Sequence, residues 1–91
     1  MASIEHFQDD DQGFVAWLAN NPDGFVINTK RKPKPGYLVL HRPSCRNLKS
    51  SSLLNWTKDT VKFCSPSRAT LEEWASSTVG GEVTLCGSCF G

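Results

Sequence analysis

Four cysteines and two histidines are the side chains of this sequence best suited to bind a metal or act as nucleophiles, and four of the six fall in two short groups. One group is His41-Arg42-Pro43-Ser44-Cys45, and the other is Cys86-Gly87-Ser88-Cys89. Thiolate and neutral imidazole are ligands that Zn²⁺ prefers, and small domains usually supply them as close pairs. The two groups therefore predict the halves of one tetrahedral zinc site, formed by His41, Cys45, Cys86 and Cys89.

The spacing Cys86-x-x-Cys89 also occurs in redox pairs. A redox pair usually opens a helix within a βαβ unit, and the two residues after Cys89 leave no room for that helix. We therefore expect these thiols to bind a metal.

The second half-site has two candidate compositions. His41 and Cys45 flank a turn that contains Pro43, so both can face one point. In the alternative, Cys45 and Cys64 complete an all-cysteine site with His41 outside it. We favour His41, because Cys64 stands alone on or just after a predicted strand and is more simply a small buried apolar residue. His6 has no other candidate ligand beside it and is expected to be an exposed histidine.

The segment before the first half-site predicts a helix and a hairpin. Asp9-Asp10-Asp11 offers helix caps, and Phe14, Trp17 and Leu18 then share one helical face. After the turn at Asn20 to Gly24, alternation predicts a strand over Gly24–Lys30. A proline-containing loop leads to a second, antiparallel strand over Tyr37–His41.

The second half of the chain predicts a short strand at Val61–Phe63 and a second helix that ends before Gly80-Gly81. Thr70 and Glu73 fit a capping box, although Pro66 allows an earlier start. Val83–Leu85 is expected to be extended. The predicted fold class is α+β: a small antiparallel three-stranded sheet with two helices and a structural zinc site. We expect a single domain over residues 1–91, with an N-terminal helix and hairpin in 9–36 and the zinc-binding part in 37–90.

Length and composition limit the class of protein. A chain of 91 residues forms one domain with a marginal core, which a metal cross-link would help to stabilise. No apolar run approaches the roughly 18 to 20 residues of a membrane-spanning helix, so no membrane partner is expected. The first residues lack the features of a signal peptide, which predicts a cytoplasmic protein with reduced thiols.

The charges are segregated along the chain although the net charge is only +1. All ten Lys and Arg residues lie between Lys30 and Arg68, while both ends carry only acidic residues. Such segregation is typical of a nucleic-acid surface, although the same residues could also be solvated on several faces. The candidate contacts are Lys30, Arg31, Lys32, Lys34, Arg42, Arg46 and Lys49. Arg42 and Arg46 are the preferred phosphate contacts.

The order of these motifs resembles a known family. His41-Arg42-Pro43-Ser44-Cys45-Arg46, Val61-Lys62-Phe63, Leu71-Glu72-Glu73-Trp74-Ala75 and Cys86-x-x-Cys89 resemble the Ada-type zinc-binding domain of bacterial DNA alkylation-repair regulators. The closer resemblance is to variants with the pattern HxxxC…CxxC, found in DNA-associated proteins. It covers roughly residues 37–90.

The resemblance implies one structural zinc ion held by His41, Cys45, Cys86 and Cys89. In the alkyl-accepting members, His41 is replaced by the zinc thiolate that takes a methyl group from DNA. Zinc-bound imidazole lacks that nucleophilicity, so methyl transfer is disfavoured here. A closed four-ligand centre also has no position for a reactive water, and we expect no enzyme.

The expected function is therefore a small zinc-stabilised module that binds nucleic acid, DNA rather than RNA. The alternative is a protein-interaction module. In that case the loop Lys32-Pro33-Lys34-Pro35 or an exposed Trp docks a partner such as a nuclease or toxin subunit.

Overall fold

The computed structural model of the chain describes residues 3–43, 57–58 and 60–90, with the backbone alone at residues 88 and 89. Within these residues there are five strands: β1 (Glu5–Phe7), β2 (Phe25–Lys30), β3 (Val39–His41), β4 (Thr60–Ser65) and β5 (Thr84–Leu85). The same described residues form two helices, α1 (Asp11–Asn20) and α2 (Arg68–Trp74). A π-helical turn over Ala75–Val79 continues α2, and a single helical turn over Gly87–Phe90 follows β5.

The strands form one mixed sheet in the order β1-β4-β2-β3-β5. The pairs β1–β4, β4–β2 and β2–β3 are antiparallel, whereas β3–β5 is parallel. The α+β class, the two helices and the antiparallel β2–β3 pair are thereby confirmed. Because β3 and β4 both run antiparallel to β2, their C-terminal ends lie at the same end of the sheet.

The predicted three-stranded antiparallel sheet is wrong, because two short strands extend it to five and β5 pairs in parallel. β1 has three residues and β5 has two, too few for a period of two to be recognised in the sequence. Both are strands because of their partners: Phe7 lies opposite Lys62 of β4, and Thr84 lies opposite Val39 of β3.

The sheet separates two apolar clusters. On one face α1 contributes Phe14 and Leu18, which pack with Phe7, Val26, Cys64 and Cys86. On the other face Leu71 and Ala75 pack with Ile27, Leu38, Leu40, Val61 and Phe63. Both faces of the central strands are therefore covered, and Val61, Lys62, Phe63, Cys64 and Ser65 are all buried.

Both helices begin at side-chain caps. Asp10 Oδ1 accepts a hydrogen bond from Gly13 N at 2.9 Å, which confirms a cap within the acidic triplet. Ser67 Oγ accepts from Thr70 N at 3.3 Å, so α2 begins earlier than a capping box at Thr70 would place it. Gly80, with φ of 87°, ends the π-helical turn, because a left-handed backbone is inexpensive only for glycine. No helix in the described ranges is long and apolar enough to cross a membrane.

Candidate metal centre and basic surfaces

Parallel pairing of β3 with β5 brings one predicted ligand from each half-site, His41 and Cys86, to neighbouring strands. Leu40 lies opposite Leu85, and Cys86 N donates to Leu40 O at 3.0 Å. His41, the last residue of β3, and Cys86, the first residue after β5, therefore lie at neighbouring strand ends. Their residues are only 5% and 8% exposed, respectively.

Burial makes His41 a neutral imidazole at physiological pH. Loss of solvent lowers the pKa of His41 to about 4, and the nearby charge of Lys62 acts in the same direction. Neutral imidazole is the form that binds metal ions. The environment of His41 therefore fits a ligand.

The backbone after Cys86 closes into one helical turn. Phe90 N donates to Cys86 O at 3.0 Å, and the turn spans Gly87–Phe90. Two of the four proposed ligand side chains, those of Cys45 and Cys89, lie outside the described part of the structure. Within that part, no group of three or more His, Cys, Asp or Glu side chains could hold a metal ion.

Cys64 lies on the same face of the sheet as His41, but not on the neighbouring strand. Both residues lie opposite Val26, on the two strands that flank β2. Neighbouring strands are about 4.8 Å apart, so the two backbones are separated by roughly 10 Å. Cys64 is fully buried, and burial raises the pKa of its thiol, which is therefore protonated at neutral pH.

The acidic triplet at the start of α1 forms hydrogen bonds that support the fold. Besides the cap formed by Asp10, Asp11 Oδ1 accepts from Thr57 N at 2.9 Å and from Thr57 Oγ1 at 2.7 Å. Asp9 Oδ1 and Oδ2 accept from both terminal guanidinium nitrogens of Arg31, at 3.0 and 2.9 Å. These bonds hold the start of α1 on the end of the sheet where β2 leaves it.

The predicted nucleic-acid contacts divide between the two ends of the sheet. Lys30, Arg31, Lys32 and Lys34 lie at the β2–β3 connection, whereas Arg42 follows β3 at the end that carries His41. Five residues of extended strand separate Lys30 from the end where Arg42 lies, which corresponds to about 17 Å. Arg46 and Lys49 lie outside the described residues.

The cations at the β2–β3 connection differ in their environment. Arg31 forms the bidentate pair with Asp9 and also donates from Nη1 to Lys58 O at 2.8 Å, so it supports the fold. Lys30 Nζ lies 4.9 Å from the centroid of the Tyr37 ring, a cation–π distance. Lys32 and Lys34 are exposed.

Arg42 has a different setting at the opposite end. Its residue is exposed, and its Cζ lies 4.6 Å from the centroid of the Phe90 ring. The same ring lies 5.7 Å from Cζ of Arg68, a residue that the sequence did not single out. The sequence shows that residue 68 is basic, but its proximity to Arg42 arises because β3 and β4 end at the same end of the sheet.

Comparison of the sequence with protein-family models, curated proteins and solved structures gave no match. The resemblance to the Ada-type zinc-binding domain therefore stays a prediction.

Proposed function

We propose that the chain is a small, non-catalytic zinc-stabilised module that binds nucleic acid, DNA in preference to RNA. The observation that carries the proposal is the position of His41 beside Cys86, buried at adjacent ends of two parallel strands. These residues belong to different half-sites and are far apart in the sequence. A metal shared between them would cross-link β3 to the C-terminal segment.

The proposed ligands are His41, Cys45, Cys86 and Cys89. A zinc ion holds nitrogen and sulfur ligands at about 2.1 and 2.3 Å, so two ligand atoms of a tetrahedral site are about 3.6 to 3.8 Å apart. In the all-cysteine alternative, Cys64 on β4 would have to reach Cys86 across both β2 and β3, whereas His41 lies on the strand next to Cys86. The register of the strands therefore favours His41 over Cys64 as the ligand that accompanies Cys45, Cys86 and Cys89.

The helical turn after Cys86 supports the second pair. Side chains three residues apart on a helical turn are neighbours, which suits two thiolates that bind one ion. The metal would supply a cross-link, and this chain's contribution is to keep the imidazole neutral and to shield the centre from water. With imidazole in place of a reactive thiolate, methyl transfer is the least favoured role.

Metal analysis of the purified protein tests the centre directly. We expect about one zinc ion per chain, bound with release of protons from the thiols. Cys86→Ser should lose the metal and unfold the domain, whereas Cys64→Ser should keep the metal and stay folded. A folded protein without metal, or a zinc content that depends on Cys64 as strongly as on Cys86, would refute the proposed site.

Exposed cations at the two ends of the sheet support nucleic-acid binding. Phosphate contacts by Lys or Arg release counterions, so the affinity should fall as salt rises. The charge of Arg31 is balanced by Asp9, and the more accessible candidates are Lys32, Lys34 and Arg42. A fluorescence-anisotropy titration of the zinc-loaded protein with duplex DNA at several salt concentrations tests this point.

A protein-interaction module is the second candidate. The tight turn at Lys34–Tyr37 is closed by a hydrogen bond from Tyr37 N to Lys34 O at 3.0 Å and presents Lys34, Pro35 and Gly36 to solvent. Leu85 on β5 is also 43% exposed. A partner that stays bound at high salt, together with no detectable binding of nucleic acid, would favour this second function.

A further inference from the structure

Two arginines from distant parts of the sequence share one aromatic ring beside the proposed metal centre. Arg42 directly follows β3, and Arg68 begins α2, three residues after β4 ends. Their Cζ atoms lie 4.6 and 5.7 Å from the centroid of the Phe90 ring. The two guanidinium carbons are therefore separated by no more than the sum of these distances.

The ring that joins the arginines is itself held in place. Phe90 stacks on Phe25 of β2, with 6.5 Å between the centroids and 10° between the planes. It also packs against the apolar cluster under α2. These contacts position the Phe90 ring, and the ring in turn orders the two arginine side chains.

Neither arginine is strongly neutralised. Within the described ranges no carboxylate forms an ion pair with Arg42. Arg68 has one contact, from Nε to Glu72 Oε2 at 3.5 Å, and both side chains of this pair are more than 40% exposed. Exposed pairs of this type contribute little, and this one leaves both terminal nitrogens of Arg68 available.

Stacking on an aromatic ring leaves the edge of a guanidinium open to ligands. That edge carries N–H donors in a planar fork that matches the oxygen atoms of a phosphate. Ordering by the ring also reduces the side-chain entropy that binding would otherwise cost. These features point to an anion of phosphate chemistry as the ligand.

We propose that Arg42 and Arg68, ordered by Phe90, bind one and the same backbone phosphate of the nucleic acid. This inference rests on the proposed function and adds to it a residue and a mode of contact. Arg68 is a direct contact, and Phe90 is a positioning residue. The site is independent of base sequence, because it reads only the phosphate.

The first test compares charge-removing variants in the zinc-loaded full chain. The probe is a fluorescent oligothymidylate of about ten nucleotides, within the site sizes of small single-strand binders. Arg42→Gln and Arg68→Gln should each weaken binding several-fold. The exposed Lys58→Gln, at the opposite end of the sheet, should have a markedly smaller effect.

The double variant separates one shared phosphate from two independent contacts. For single strands the logarithm of the affinity changes with the logarithm of salt by about 0.7 per phosphate contact. Arg42→Gln/Arg68→Gln should reduce this slope by about 0.7, and its loss of affinity should be smaller than the product of the two single losses. A reduction of about 1.4 with multiplicative losses would show two separate contacts and overturn the inference.

Variants of Phe90 test the ring without changing the charge. Phe90→Tyr keeps an aromatic ring and should keep the wild-type affinity for the oligonucleotide. Phe90→Leu removes the ring and should weaken binding to an extent similar to the loss of one arginine. Zinc content and thermal unfolding of both variants establish that the neighbouring centre is intact. Wild-type affinity in a folded, zinc-loaded Phe90→Leu would overturn the role of the ring.

A second probe distinguishes failure of the inference from failure of the proposed function. If the oligonucleotide binds but Arg68→Gln behaves like Lys58→Gln, the shared phosphate site is refuted and the nucleic-acid function stands. If the wild-type protein binds neither this oligonucleotide nor duplex DNA, the proposed function fails. Titration with inorganic pyrophosphate, followed by the NMR signals of the arginine Nε–H groups, then decides the site: joint shifts of Arg42 and Arg68 support it, and unchanged signals refute it.

Discussion

Lys62 is an ionisable residue buried inside the domain, and its loss of a proton should change the free energy of unfolding with pH. Its residue is only 3% exposed, on the face of β4 that packs under α1. Its Nζ donates to Asn28 Oδ1 at 2.6 Å and to Thr60 Oγ1 at 3.1 Å, and it lies 5.8 Å from the centroid of the Phe14 ring. Burial lowers the pKa of Lys62 from 10.5 to about 8, although Cys64 and Asp11 act in the opposite direction.

The sign of the effect follows from proton binding. Between pH 8 and 10.5 the unfolded chain keeps the proton on Lys62 while the folded chain has lost it. The free energy of unfolding therefore rises with pH across this window. Each pKa unit corresponds to about 1.4 kcal/mol, so the full effect is up to about 3 kcal/mol.

Lys62→Met provides the comparison, because it keeps much of the volume and removes the titration. Urea unfolding of both proteins at the same zinc content, from pH 7 to 10.5, should show the wild type gaining up to about 3 kcal/mol relative to the variant. The lost hydrogen bonds add an offset that does not depend on this titration. A constant difference between wild type and Lys62→Met across this pH range would refute the reasoning.

Three further predictions concern packing and charge. Phe14→Ala removes a fully buried ring and should cost about 3 to 5 kcal/mol in urea unfolding, and a cost below about 1 kcal/mol would contradict its place in the core. A Cβ at Gly81 would lie 2.6 Å from Pro35 Cα, so Gly81→Ala should lower the free energy of unfolding by about 1 to 3 kcal/mol. A Cβ at Gly36 meets nothing within 4 Å, so Gly36→Ala should not cause this loss. Equal losses of stability in the two variants would argue against the close approach of Gly81 to Pro35. Pairing with arginine lowers the pKa of the Asp9 carboxyl below 3.8, so the advantage of wild type over Asp9→Asn should be present above that pH and vanish as acid titrates the folded carboxyl, which thermal unfolding at pH 2 to 7 measures.

Local patterns were sufficient for the elements that have their own signals. The acidic triplet and the apolar spacing placed α1, and alternation placed β2. The termination of the second helical segment at Gly80 followed from the glycine pair. These signals depend on backbone sterics and neighbouring side chains, which the sequence contains directly.

Pairing between distant segments was not predictable in the same way. β1 and β5 are defined by partners on other strands, so a three-stranded sheet was the most that short-range patterns supported. The burial of Lys62 likewise follows from α1 covering a face that alternation alone could leave in water. Arg68 lies near Arg42 only because β3 and β4 end at the same end of the sheet.

The sequence by itself determined which residue types are available for a metal and that they occur as two close pairs, because ligand chemistry and short spacings are local properties. Only the tertiary structure decided that His41 and Cys86 lie side by side, that Cys64 lies across β2, and that two arginines share one ring. The parallel β3–β5 pair joins segments that are far apart in the sequence, and its hydrogen bonds, such as Thr84 N to Leu38 O at 2.7 Å, form between residues that no single segment contains.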